Sequence, residues 1–146
     1  MRAMDHVVYL DHKANELDKL IQGEKTMLIR GAAGRKMPYG RVETNDRLYF
    51  IENDGSGVIK ARGTVVCVLN SDKMTKEASI ALVDTHQDKL ALTTAQYQRW
   101  AGKRYLVLIQ VDEITELAPF TLDRHEYGKM DDWLPVGSID QVHSHI

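Results

Sequence analysis

The sequence predicts a mixed α+β domain, rich in strands, with helices at two places. Three observations predict it. Runs of β-branched, aromatic and aliphatic residues such as "HVVYLDH", "RLYFIE" and "RYLVLIQVDEITEL" recur along the chain and have strand character. Two segments break that pattern: Leu17, Leu20 and Ile21 share one helical face, and the period changes again between Thr75 and Lys103. The chain of 146 residues is long enough for a real core and short enough for one domain, taken here as 1–146.

In order, "HVVYLDH" is the first strand, and "ANELDKLIQG" is a helix that stops at Gly23. "TMLIR" is a short strand that delivers Arg30 to its end. "GAAGRKMPYG" carries glycine at both ends and Pro38 inside, which makes it a surface loop. "RLYFIE" and "GVIKARGTVVCVL" are strands joined at Asn53-Asp54-Gly55, residues that tolerate the positive φ of a tight hairpin turn. Ile80, Leu82 and Val83 mark one helix and Ala95 to Trp100 a shorter one. "RYLVLIQVDEITEL" is a long, largely buried strand. Residues 117–142 hold Pro119 and Pro135 and are expected to wrap back over the sheet, anchored by Trp133 and Leu134, with His143 to Ile146 frayed.

Composition narrows the class. Hydrophobic residues at 43% and charged residues at 27% fit a soluble domain. No apolar run has the length of a membrane span and the first residues lack a secretion signal, so a cytoplasmic protein is expected. Cys67, a lone thiol inside "TVVCVL", is expected to be a small buried hydrophobe. The net charge of -2 hides an asymmetry. Residues 25–42 hold Lys25, Arg30, Arg35, Lys36 and Arg41 with no acid, whereas residues 112–132 hold seven acids against Arg124 and Lys129. A local patch of that kind can recruit an anion whatever the overall charge; the alternative is a solvated loop.

The residues allow several chemistries. Arginine forks suit phosphate oxygens, and Tyr39, set among Arg35, Lys36 and Arg41, offers a face on which a base can stack. That pairing suits single-stranded RNA or a nucleotide; the alternative is a polar loop with Tyr39 packed on the rim of the sheet. Lys25 and Arg30 are five apart, so on a regular strand they point to opposite faces, and Arg30 beside Gly31 is free to turn into the loop. Lys25 could equally cap the dipole of the preceding helix. His143 and His145 lack a third ligand, and neither a metal nor a cofactor is expected. His86 between Asp84 and Asp88 fits a solvated helix face, and Trp100 and Trp133 fit the core better than a stacking platform. Ser56 and Ser79 have no histidine at a telling spacing.

The segment G-x-K-x-x-x-x-R after a helix, here Gly23, Lys25 and Arg30, resembles the ASCH domain of the PUA-like superfamily. "GRVETNDRLYFIE" is similar to the family's turn-then-strand block, with Asn45-Asp46 where Gly-Asp is common, and "ARGTVVCVL" and "YLVLIQVDEI" follow in the family's order. The resemblance spans about Val7 to Glu116. It implies a small twisted β-barrel with flanking helices and a basic cleft for RNA or a nucleotide, lined by Lys25, Arg30, Arg35, Lys36, Tyr39 and Arg41. Some members bind RNA, some hydrolases remove the acetyl group of acetylated cytidine with a lysine, a threonine and a carboxylate, and a ribonuclease activity has been proposed. A hydrolase here would use Lys25 as proton handler with Asp88 or Glu52 as carboxylate. Leu28 stands where the family has glutamate and the hydrolases threonine, and an aliphatic chain neither attacks nor orients a nucleophile. A further alternative is a protein-interaction module whose basic loop docks an acidic partner, including a second copy through the 112–132 stretch. Oligomeric state is not legible.

Overall fold

A computed structural model describes residues 3–123 and 132–143. Six strands form one sheet: β1 (Asp5–Leu10), β2 (Met27–Ala32), β3 (Arg47–Glu52), β4 (Val58–Asn70), β5 (Tyr105–Thr121) and β6 (Trp133–Gly137), in the order β2-β5-β4-β3-β1-β6. Among the described residues, only the β1–β3 pair is parallel. Helices α1 (Glu16–Ile21), α2 (Lys76–Leu90) and α3 (Thr94–Trp100) fall at the two predicted places.

The sheet curls into a half-barrel, with bulges in the β3–β4 and β4–β5 pairings that bend its strands, and side chains alternate between its two faces. On β2, Leu28 faces a core shared with Val8, Leu48, Phe50, Ala61, Val107, Ile109 and Trp133, drawn from all six strands and capped by Leu17 and Leu20 of α1. Met27 and Ile29 face the other way and pack with Val83 and Leu90 of α2 and Trp100 of α3. Burying each side of β2 against a different layer requires an apolar residue at nearly every position, which "MLI" supplies. At the far end, Leu134 and Val136 of β6 cover Val7, Tyr49 and Ile51. Residues 117–121, expected in the wrap, instead prolong β5, and the described return over the sheet is β6 beside β1; the part of that expectation on 124–131 lies outside the described residues.

Local signals set the helix ends. Thr75 caps α2 by accepting from the Ala78 amide at 3.1 Å. Thr93 and Gln96 make a reciprocal capping box on α3, at 3.1 and 3.2 Å. The Asn53–Gly55 turn joins β3 to antiparallel β4, and Gly55 has φ +84°.

Cys67 is exposed, contrary to the sequence expectation. Pairing of β4 with β3 ends at Arg47↔Thr64 and, past the Val65 bonds to Asn45 and Asp46, β5 is the strand paired with β4; Val66 and Leu69 are exposed there too. An apolar run predicts a strand but not how far its neighbour extends. Among the described residues, no helix is long and apolar enough to cross a membrane.

Candidate functional site

A pocket of about 420 Å³ opens where β2, the loop after it, the end of α3 and the start of β6 meet. Its floor is Arg30, Trp100 and Trp133; Lys36 and Met37 come from the loop, Arg99 and Lys103 from the α3 end, and Asp132 precedes β6. Among the described residues, four bases thus face one acid. They come from segments far apart in sequence, and only Arg30 and Lys36 belong to the basic stretch of residues 25–42.

Arg30 anchors the site. It is only 7% exposed, yet its guanidinium is held on two sides, by the Ile29 carbonyl at 2.8 Å and the Tyr9 carbonyl at 2.7 Å. Its centre lies 5.6 Å from the Trp133 ring and 5.9 Å from the Trp100 ring, close enough for both ring faces to favour the cation. Its Nε is buried without a hydrogen bond. A carboxylate oxygen of Asp132 is 3.3 Å from that Nε, a distance for an ion pair but not aligned with the N–H. The same carboxylate is 4.0 Å from Arg99, whose guanidinium stacks 4.3 Å over Trp100.

Trp133 is oriented from behind. Its indole N–H donates to Nδ1 of the fully buried His6 at 3.1 Å, and His6 Nε2 lies 2.8 Å from Asp46. Since Nδ1 accepts from the indole, Nε2 carries the proton and donates to Asp46, so the ring is neutral. Burial pushes the His6 pKa below its ordinary value, outweighing the pull of Asp46 and Asp5; Arg41 adds to the lowering.

Lys25 is elsewhere. It precedes β2, so strand alternation does not govern it, and it turns inward to a buried ion pair with Glu16 at 3.3 Å and a short hydrogen bond to the Leu90 carbonyl. Glu16 is saturated: it also accepts from the Asp11 amide at 2.8 Å and the Gln96 side chain at 3.4 Å. Burial alone would raise the Glu16 carboxyl, but the charges of Lys25 and Arg30 outweigh it and hold the pKa below the usual range. Burial pushes the Lys25 pKa down, against Glu16 and with help from Arg30. Lys25 thus pairs with Glu16 while Arg30 pairs with Asp132, and the buried Lys25 is not a solvated cap on the α1 dipole.

The remaining expected residues scatter. Arg35 sits 5.7 Å from the ring centres of both Tyr39 and Tyr105. Tyr39 is half-buried, meets Tyr105 edge-on and donates its hydroxyl to the Ser71 carbonyl, so it packs on the rim and does not line the pocket. Arg41 is exposed outside the pocket lining, as is Asp88 on α2. Leu28 is fully buried in the barrel core. Glu52 pairs with His12 at 3.2 Å and Lys60 at 3.4 Å. His12, Glu52 and Asp54 bring ligand atoms within 4.8 Å of one another and are the described residues able to share a cation, although Lys60 already neutralises Glu52. Arg99 and Lys103 escape a reading of the sequence because they flank Trp100 rather than sit in the basic run; the R-W-x-x-K spacing is the available signal.

Gly31, at the pocket wall, lies tight against β5: a Cβ there would be 3.1 Å from the Tyr105 carbonyl oxygen and 2.7 Å from a Leu106 methyl. Gly31→Ala is expected to cost about 1–3 kcal/mol by forcing β2 from β5, seen as a lower urea midpoint. An unchanged midpoint would show that the strand yields freely.

No model of a known protein family matches the sequence, and no curated protein does. Solved structures do match. The ASCH protein of Zymomonas mobilis is similar over 97% of this chain and 96% of its own, at 13% identity and TM-score 0.69. A tyrosine-to-phenylalanine variant of that protein matches at 13% identity and TM-score 0.70, over 94% of each chain. The N-terminal domain of Staphylothermus marinus McrB matches at 12% identity and TM-score 0.55, over 97% of this chain and 95% of that one. The chain therefore has the fold of these ASCH proteins.

Proposed function

We propose that this pocket binds single-stranded RNA or a nucleotide-like ligand. The observation that carries the reading is the convergence of Arg30, Lys36, Arg99 and Lys103 from β2, its loop and the α3 end around one concave site. Surface bases scatter when they only solubilise; four around one pocket, with a single acid among the described lining residues, concentrate positive potential where a phosphate can be desolvated and held. Arg99, stacked on Trp100 and 62% exposed, presents a flat cationic face against which a base can lie.

The test is a titration of short single-stranded RNA and of cytidine nucleotides at low and moderate salt, with the ligand checked for integrity afterwards. Affinity is expected to fall with salt. Lys36→Glu or Lys103→Glu should weaken binding of every sequence alike and reduce the salt slope by about 1 for each phosphate no longer neutralised. Absence of binding at low salt sinks the reading and leaves the basic pocket to an acidic protein.

One observation favours a hydrolase instead: burial depresses the Lys25 pKa, as a proton-handling lysine requires. Against it, Lys25 is 1% exposed and already held by Glu16 and the Leu90 carbonyl. Binding with intact ligand is the expected result. Release of acetate from acetylated cytidine, abolished by Lys25→Met in a folded protein, would establish the hydrolase.

A further inference from the structure

We propose that Asp132 is a resident counter-ion in the pocket, and that the ligand's phosphate displaces its carboxylate from Arg30. The proposal rests on the binding reading above and adds a competitor to it.

Arg30 is nine-tenths buried and cannot turn away from the pocket, because the Ile29 and Tyr9 carbonyls hold its two terminal nitrogens. Its Nε is left buried without a hydrogen bond at the pocket floor. A donor without an acceptor in a buried place is costly, and a bound group that accepts from it recovers that cost. Asp132 neutralises the charge without meeting this need: its oxygen stands 3.3 Å from Nε out of line, and 4.0 Å from Arg99.

The reason is its tether. The Asp132 carbonyl accepts from the Tyr9 amide at 2.9 Å, and β6 begins at the next residue, so the main chain is fixed while the half-exposed side chain can swing out. A phosphate has no such tether. Its oxygens are arranged tetrahedrally, so one can align with Nε while others face Arg99, Lys36 or Lys103. Phosphate and Asp132 carboxylate cannot both occupy the arginine, since like charges at that spacing repel. The carboxylate therefore competes with a phosphate for Arg30 and has no such competition with an uncharged ligand.

The experiment compares wild type with Asp132→Asn, which keeps the shape and removes the charge. Titrants are cytidine, cytidine 5′-monophosphate, inorganic phosphate and a short RNA with and without a terminal phosphate. Asp132→Asn is expected to bind the phosphate-bearing ligands about tenfold more tightly, within the usual range of coupling between sites, with cytidine unchanged. A gain for the RNA lacking a terminal phosphate assigns the site to backbone phosphate; a gain confined to the end-phosphorylated RNA and the nucleotide assigns it to a terminal one. Asp132→Ser repeats the measurement should the asparagine variant fold poorly. Wild type that binds these ligands, with no gain in either variant, overturns the displacement and leaves the binding reading standing. No binding by wild type or variants overturns both.

Discussion

Lys25→Ala is expected to lose about 3–5 kcal/mol of stability. The substitution leaves the Glu16 carboxylate buried, with Gln96 and the Asp11 amide but no cation at 3.3 Å to balance it. Removing one partner of a buried pair costs far more than removing both, because the remaining charge stays desolvated. Glu16→Leu with Lys25→Met should therefore recover most of the loss, apart from the Asp11 amide and Gln96 left unpaired. Chemical denaturation of the single and double variants measures this directly. Equal loss in the two would mean that the pair is worth its full Coulomb attraction and not merely its mutual relief. The pH dependence follows the same logic. Glu16 has its pKa lowered in the fold, so it contributes stability at pH above the ordinary carboxylate value, lost as pH falls toward the folded value.

Trp133→Ala is expected to cost a comparable amount, about 3–5 kcal/mol, since the ring is 1% exposed and belongs to the barrel core. It would also strip one aromatic face from Arg30. Trp133→Phe separates the ring from its N–H. Loss of the donor to His6 Nδ1 should cost about 1 kcal/mol near neutral pH. It should also change how stability responds to acid. In the wild type the His6 pKa is lowered by burial, so the unfolded chain takes a proton that the folded chain refuses, and stability falls as pH drops below about 6.5. With Nδ1 no longer facing an indole N–H, Asp46 and Asp5 favour the second proton more, with Arg41 still opposing. The folded pKa rises and the acid loss shrinks. Denaturation midpoints of both proteins at pH 8 and pH 5 decide the matter; an identical acid loss would show that the indole does not control the histidine.

The strands and helices were legible because each carries its own signal. The Asn53–Gly55 turn, the continuous apolar run of β3 and the stop of α1 before Gly23 are local, and local chemistry survives into the fold. The pocket was less legible because it is assembled from pieces. Arg30 and Lys36 stand out as members of a charge run, but a run does not say which of its members share a face. Lys25 looks like its companions and is drawn inward by Glu16, nine residues earlier on α1, a partner that no spacing rule selects. Trp133 has the core place its sequence suggests, yet the same ring also forms a pocket wall, because the core of a half-barrel reaches its open side. Cys67 departs from expectation for a related reason: burial depends on where β3 stops.

The Arg30 side chain reaches from β2, one edge of the sheet, to the Tyr9 carbonyl on β1, next to the other edge. It is thus a stitch across the open seam of the half-barrel as well as the floor of the pocket. On the proposed binding reading, a ligand that satisfied the arginine would also tie the two sides of the half-barrel together, and a substitution at residue 30 would loosen the seam along with the site.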